Sequence, residues 1–317
     1  MNQTTMMHQI SKYLNGYEHC FTPFYGDGLI KLMTKLRMLD FSILGGQFRQ
    51  KTEEYLREND LKIDYRGENN AYHLIFTCSD LIVPKNIKGE KLILVQEGMI
   101  DPETITYKLI RYLKLPRFLA STAMTGLSDA YDYFCIASEG FKELFIKKGI
   151  KPEKMVVTGI PNFDNLKHYV HNDFPHRNFM LVATSDMRET FKYENRKKLI
   201  NRALKIADGR LLIFKLHPNE NIQRATKEIN TLAPKALVFS NANIYHMVAN
   251  CNVLLTRYSS VALMAVILGK EVHSDISTSE LRKLAPVQNG GISALSIAEL
   301  GKRLLTDKLK ENQIKLL

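Results

Sequence analysis

At 317 residues, with 45% hydrophobic and 24% charged side chains, the chain has the composition of an ordinary soluble globular protein and the length for two domains. No window approaches the run of about eighteen apolar residues that crosses a membrane, and the opening MNQTTMMHQISKYLNGYEHC has no basic start and apolar core, so a cytoplasmic setting without a secretory signal is expected. The net charge of +11 suits anionic partners. No basic arm, zinc-finger spacing or RNA-binding aromatic motif accompanies it, so nucleic acid is not expected, while a peripheral contact with an anionic membrane stays open.

Taken in order, the chain alternates short apolar runs with helical periodicity, the grammar of a parallel sheet. A helix over 9–15 leads to an apolar run over 20–24. The turn Tyr25-Gly26-Asp27-Gly28 follows, then a helix in LIKLMTKLRML. Glycines here either shape a phosphate or substrate loop or only make a tight turn. FSILG reads as a strand, GQFRQKTEEYLREND as a helix, YHLIFTCSDLIVP as one or two strands, and KLILVQEG as a buried strand ending at Gln96-Glu97-Gly98. Asp101-Pro102-Glu103 is expected to open a helix, with Pro102 in its first turn. YDYFCIAS is a strand, EGFKELFIKKG a helix closed by Gly149, and MVVTG a strand ending in Gly159-Ile160-Pro161-Asn162.

Residues 165–178, NLKHYVHNDFPHRN, lose periodicity and are expected to connect two domains. Their irregularly spaced His168, His171 and His176 fit a solvated connector better than a metal site. Beyond them the pattern repeats: NFMLVAT, LLIFKL, ALVFS, VLLT and EVHS as strands, with helices between and a last helix in IAELGKRLLTDKL. The expected fold is α/β, two doubly wound Rossmann-like domains facing a cleft. The domains are 1–166 and 167–317, with the last helix free to pack back on the first. Of the four cysteines, Cys78, Cys135 and Cys251 sit in apolar runs, which predicts buried reduced thiols; Cys20 completes the set.

Ligands of such sheets lie at the carboxyl ends of strands, and three polar breaks of the second half fall there. These are Thr184-Ser185-Asp186, His217-Pro218-Asn219-Glu220 and Arg257-Tyr258-Ser259-Ser260. His217 at a helix N-terminus can donate to a phosphate oxygen beside free N–H groups, or simply cap its own loop. Ser259 and Ser260 either cap the following helix or hold an anion with it. In the first half, Glu97 is either a general base for an acceptor hydroxyl or a solvent-facing loop glutamate. No D-x-D triplet is present, so no metal bound by paired aspartates is expected.

With these motifs in their order, the chain resembles nucleotide-sugar glycosyltransferases of the GT-B fold. It looks most like the bacterial branch of sialyltransferases, Kdo transferases and CDP-glycerol glycerophosphotransferases. That branch carries an acidic-acidic-Gly motif, then HP, then SS; here these are Gln96-Glu97-Gly98, His217-Pro218 and Ser259-Ser260. The resemblance implies a metal-independent inverting transferase for surface polysaccharide, with no cofactor. Its donor would carry CMP or CDP, with UDP as the alternative, and its acceptor would be a saccharide or lipid-linked saccharide. Thr184, Ser185, His217, Pro218, Asn219, Tyr258, Ser259 and Ser260 would hold the donor, with His217 also catalytic. Glu97 would be the base, although the first acid of the motif is Gln96 here. Gly26, Asp27, Gly28, Gln96 and Asn162 would line the acceptor side. A more distant resemblance, on VTGIPNFDN and LGKEV, is to hydrolysing UDP-N-acetylglucosamine 2-epimerases. A GT-B protein that binds nucleotide without turnover is the third reading, kept by Gln96.

Overall fold

The computed structural model describes residues 2–26, 46–190 and 192–314. The helix and strand expected over 29–45, and Asp27 and Gly28 of the glycine turn, lie outside them. The chain divides into two compact units, Met1–Asp164 with Pro286–Leu317, and Asn165–Ala285. Each is a Rossmann-like α/β layer built on a parallel sheet.

The first unit carries β1 (Ile75–Thr77), β2 (Leu92–Val95), β3 (Tyr133–Ile136) and β4 (Met155–Val157). They pair in the order β1-β2-β3-β4, all parallel. LILV and YFCI are continuous apolar runs because a parallel sheet is covered on both faces; all of β2 is buried. Around the sheet stand α1 (Asn2–Ser11), α2 (Gly46–Glu58), α3 (Ile105–Tyr112) and α4 (Glu139–Lys147). Pro102 does not open α3 as expected. Thr104 is its N-cap, its side chain accepting from the Tyr107 N–H at 3.2 Å, and a capping hydroxyl defines the first turn better than a proline two residues earlier. The apolar run at 20–24 makes only a bridge, Phe21 to Ile63.

The second unit carries β5 (Met180–Ala183), β6 (Leu212–Lys215), β7 (Leu237–Phe239), β8 (Val253–Leu255) and β9 (Glu271–His273). The order is β7-β6-β5-β8-β9, all parallel. The chain adds β6 and β7 on one side of β5 and then β8 and β9 on the other, a switch point that opens a crevice at the carboxyl ends of β5 and β8. Its helices are α5 (Arg196–Ala207), α6 (Ile222–Leu232), α7 (Ile244–Asn250), α8 (Ser260–Ile267) and α9 (Thr278–Leu284). One face of the sheet packs Met180, Val182 and Phe214 against Leu199, Ile200 and Ala203 of α5 and Ile229 of α6. The stretch 165–178 is more than a connector. Asn172 and Asn250 exchange side-chain amide hydrogen bonds at 3.0 and 2.9 Å, and Tyr169 stacks on Tyr245 with centroids 4.8 Å apart. Its polar composition hid side chains that pair with α7.

The last helix, α10 (Ser293–Ile314), belongs to the first unit, where α1 packs against it. The Ser293 N–H donates to Asp164 Oδ2 at 2.7 Å and its hydroxyl to the Thr158 carbonyl at 2.8 Å. Gly159 turns beneath it with φ +77°, and a Cβ there would lie 2.5 Å from Ser293 Oγ. The VTG strand end thus clamps the returning chain. Farther along α10, Gly301 lets the helix approach β1: an added Cβ would sit 2.7 Å from the Phe76 ring.

Gly301→Ala sets two effects against each other. Alanine gains about 1 kcal/mol of helix propensity, while overpacking costs about 1–3 kcal/mol. The contact is with a ring and with Leu74, so the clash is expected to win and the thermal midpoint to fall; a raised midpoint in circular dichroism refutes this packing. Burial raises the Cys135 and Cys251 thiols from 9.0 to about 12 and the Tyr25 phenol from 10.0 to about 12. The unfolded chain releases these protons at lower pH than the folded one, so stability present below pH 9.0 is lost as pH climbs towards 12. Lys148 and Lys215, lowered by burial, act in the opposite sense but are outnumbered. Urea midpoints are expected to fall across that window; a flat or rising profile contradicts it.

Candidate functional site

In the second sheet Ala183 pairs with Lys215, and Val182 with Leu255. The three polar breaks therefore start from neighbouring strand ends, about 4.8 Å apart from strand to strand. The Thr184 N–H donates to the Lys215 carbonyl at 3.1 Å, and the Thr256 hydroxyl to the Ala183 carbonyl at 3.0 Å. Thr184 and His217 meet directly, the His217 N–H donating to Thr184 Oγ1 at 3.0 Å.

What fixes them is Glu220, whose side chain is fully buried. Its Oε2 accepts from the His217 N–H at 3.0 Å and from the Thr184 hydroxyl. Its Oε1 accepts from Arg196, which also binds Glu194. Glu194 in turn accepts from the Ser185 hydroxyl at 2.8 Å. A buried carboxylate is tolerated only when paired and hydrogen-bonded, and these partners supply that. Arg188 stands at the rim, bidentate to Glu228 at 2.9 Å twice and 4.0 Å from Glu220; the Arg188 guanidinium holds the Glu228 carboxyl below its usual range.

The His217 ring is held from one side. Nδ1 accepts from the Asn219 N–H at 3.3 Å and lies 3.6 Å from Asp186 Oδ2. Asp186 also accepts from the Asn219 side-chain amide at 2.8 Å. An Nδ1 that accepts carries no proton, so the neutral ring keeps its proton on Nε2 as a donor. With 38% of the side chain exposed, the ring can meet a ligand. Pro218 lies in the turn, and α6 begins later, capped by Asn221 accepting from the Arg224 N–H at 2.9 Å. Ser259 caps α8, its hydroxyl accepting from the Val261 N–H at 3.3 Å; Ser260 is the first residue of that helix, and Tyr258 is partly exposed beside it.

On the first sheet, Gln96 is buried and both ends of its amide are used. Oε1 accepts from the Ala137 N–H at 2.9 Å and Nε2 donates to the Gly98 carbonyl at 2.8 Å, bridging the ends of β2 and β3. Glu97 is half-buried and accepts from Gln3 of α1 at 2.6 Å. Asn162 accepts from Gln9 of the same helix at 2.8 Å and donates to the Asn2 carbonyl at 3.2 Å. The polar side of α1 thus rests on both residues, while Met6 and Ile10 go into the core. Gly26 is buried.

Sequence reading passed over Glu194 and Arg196 and quoted Glu220 and Asp186 only as parts of their loops. Their signal was faint: acids in the loops beyond two strands and an arginine at a helix start. Among the described residues no three His, Cys, Asp or Glu side chains converge as metal ligands.

Glu220→Ala leaves buried Arg196, already without a partner at Nη1, with Glu194 alone, and takes the acceptor from the His217 N–H and the Thr184 hydroxyl. A loss of about 3–5 kcal/mol is expected, read by urea unfolding; a loss below about 1 kcal/mol, the scale of an exposed pair, would show that this carboxylate is not held as described.

No protein-family model matches the chain, and no curated protein matches it. Solved structures do. A co-structure of Staphylococcus aureus MnaA with UDP aligns with a TM-score of 0.57 and 13% identity, over 93% of this chain and 92% of that one. UDP-GlcNAc 2-epimerase from Neisseria meningitidis bound to UDP-GlcNAc aligns with a TM-score of 0.54 and 15% identity, over 80% and 89%. A variant of the wall teichoic acid polymerase TagF aligns with a TM-score of 0.52 and 13% identity, over 96% and 85%. At these identities the likeness is one of fold, and it is to the two architectures named from the sequence, GT-B and the UDP-GlcNAc 2-epimerases.

Proposed function

We propose that the chain is a metal-independent inverting glycosyltransferase or related group transferase acting in surface polysaccharide synthesis. Its donor is a nucleotide-activated sugar, CMP- or CDP-linked with UDP as the alternative. Its acceptor is a saccharide or lipid-linked saccharide, met in the cytoplasm at the inner face of an anionic membrane. The observation that carries this reading is the His217 ring: Nδ1 accepts from the Asn219 N–H, the backbone is held by Thr184 and Glu220, and more than a third of the side chain is exposed, which leaves Nε2 as the nitrogen to donate. Such a donor stabilises negative charge gathering on a leaving phosphate, at a switch point where nucleotides bind in this type of sheet. The first turn of α8 offers N–H groups to the same kind of anion.

Glu97 is the proposed base. The amide of Gln96 is locked between Ala137 and Gly98, so the glutamine has a structural reason to stand there. Asn162 and Gly26 are proposed on the acceptor side, with Gln3 leaving Glu97 as acceptor hydroxyl enters.

A second reading, a hydrolysing UDP-N-acetylglucosamine 2-epimerase, is favoured by the strings VTGIPNFDN and LGKEV and by the likeness to a UDP-GlcNAc 2-epimerase bound to UDP-GlcNAc. Against it, Thr158 and Gly159 of the first string are occupied in clamping Ser293.

Thermal shifts with CMP, CDP, UDP and GDP separate the branches, since a ligand at a hundred times its Kd adds about 2.7 kcal/mol to folded stability. With the donor so identified, His217→Ala is expected to lower turnover on the order of a hundredfold without moving the unfolding midpoint. Undiminished turnover retires the reading. Release of free N-acetylmannosamine from UDP-N-acetylglucosamine alone selects the epimerase instead.

A further inference from the structure

Helix α3 has apolar residues on two opposite sides. Tyr107 and Ile110 are buried, and Tyr107 packs with Ala123 and Met124 in a small core cluster. Ile105, Leu109, Tyr112 and Leu113 recur at i, i+4, i+7 and i+8 and so share one face. That face is exposed: Ile105 by 86% and Tyr112 by 84%. The 3-10 turn that follows, Arg117–Met124, adds Phe118 and Leu119, also exposed. Single exposed apolar residues are ordinary, but a contiguous set with this spacing marks a surface that something covers.

Charge says what covers it. From Thr104 to Ser128 the sequence holds Lys108, Arg111, Lys114 and Arg117 and not one Asp or Glu. Arg111 and Arg117 are partly spent inward, on the Lys148 and Asp80 carbonyls, whereas Lys108 and Lys114 are exposed beside the apolar face. A second copy of the chain laid on this face would bring like charges together. An anionic bilayer offers apolar depth to the side chains and negative headgroups to the lysines, the pattern of helices that lie in a membrane interface.

We infer that the outward face of α3, with Phe118 and Leu119, docks the protein on anionic lipid. This gives a place to the membrane contact in the reading above and is independent of the chemistry proposed there. The full chain is sedimented with vesicles of phosphatidylglycerol in phosphatidylcholine and with phosphatidylcholine alone. Binding is expected only to the anionic vesicles, and it weakens with salt. Ile105→Ser with Tyr112→Ser, both outside the core, reduces it at least about tenfold, and Lys108→Glu with Lys114→Glu by roughly fivefold or more per lysine. Circular dichroism and the nucleotide thermal shift stay unchanged in both variants, so loss of docking is distinct from loss of the donor site. A wild-type chain that binds neither vesicle overturns the inference, as does binding that both variants retain. A dimer in sedimentation velocity that the serine variant dissolves, with vesicle binding unaltered, assigns the face to a second copy and also overturns it.

Discussion

The donor half of the structure depends on one buried carboxylate. Glu220 stands three residues after His217, close enough to take the His217 N–H, and its other oxygen reaches across the sheet edge to Arg196. Removing two charges from water costs several kcal/mol each, and the attraction between them commonly does no more than offset that. Arg196 Nη1 is even left without a partner. Stability alone therefore gives no reason to keep this network over an apolar filling. Position does: the carboxylate fixes the backbone of the loop, the loop places Asn219 N–H on Nδ1, and that contact decides which imidazole nitrogen keeps the proton.

The first sheet uses the same arrangement with different chemistry. Gln96 must accept from Ala137 and donate to Gly98 at once. A carboxylate can do the first and not the second unless it is protonated, so an amide is the side chain that closes both bonds at the pH of the cell. In each unit a buried residue at or beyond a strand end holds the loop, and a neighbour with reactive chemistry is left partly exposed: Glu97 after Gln96, His217 before Glu220. Rigid strands end, a polar lock fixes the turn, and the adjacent side chain is oriented without being consumed.

These locks explain what the sequence could and could not tell. The strands were legible because a parallel sheet covered on both faces writes continuous apolar runs, as in LILV and MLVA. The HP and SS loops were legible because they break such runs at the ends where ligands bind. Glu220 and Arg196 were not, because their pairing spans 24 residues and neither has a local pattern. The clamp of Asp164 on Ser293 spans 129, so nothing short-range fixes the last helix, which the sequence left free to pack back on the first domain. Pro102 misled for a local reason: proline suits a first turn, but a threonine two residues later gave the backbone a hydrogen bond that proline cannot.

Helix α3 shows the remaining limit of pattern reading. The helix was expected from Asp101-Pro102-Glu103 alone, yet it carries two apolar stripes, and spacing cannot say which one faces the core. Packing decides: Ile110 is buried and Tyr107 has partners in the small cluster with Met124, and the wider stripe from Ile105 to Leu113 is left outside. A helix needs only one such stripe to be held on a sheet. Among the described residues the second stays largely exposed, and the absence of any acid from Thr104 to Ser128 makes it hostile to basic neighbours and hospitable to anionic ones. Where a sequence supplies more apolar surface than its own fold can bury, the charges that border the surplus identify the solvent or partner meant to take it up.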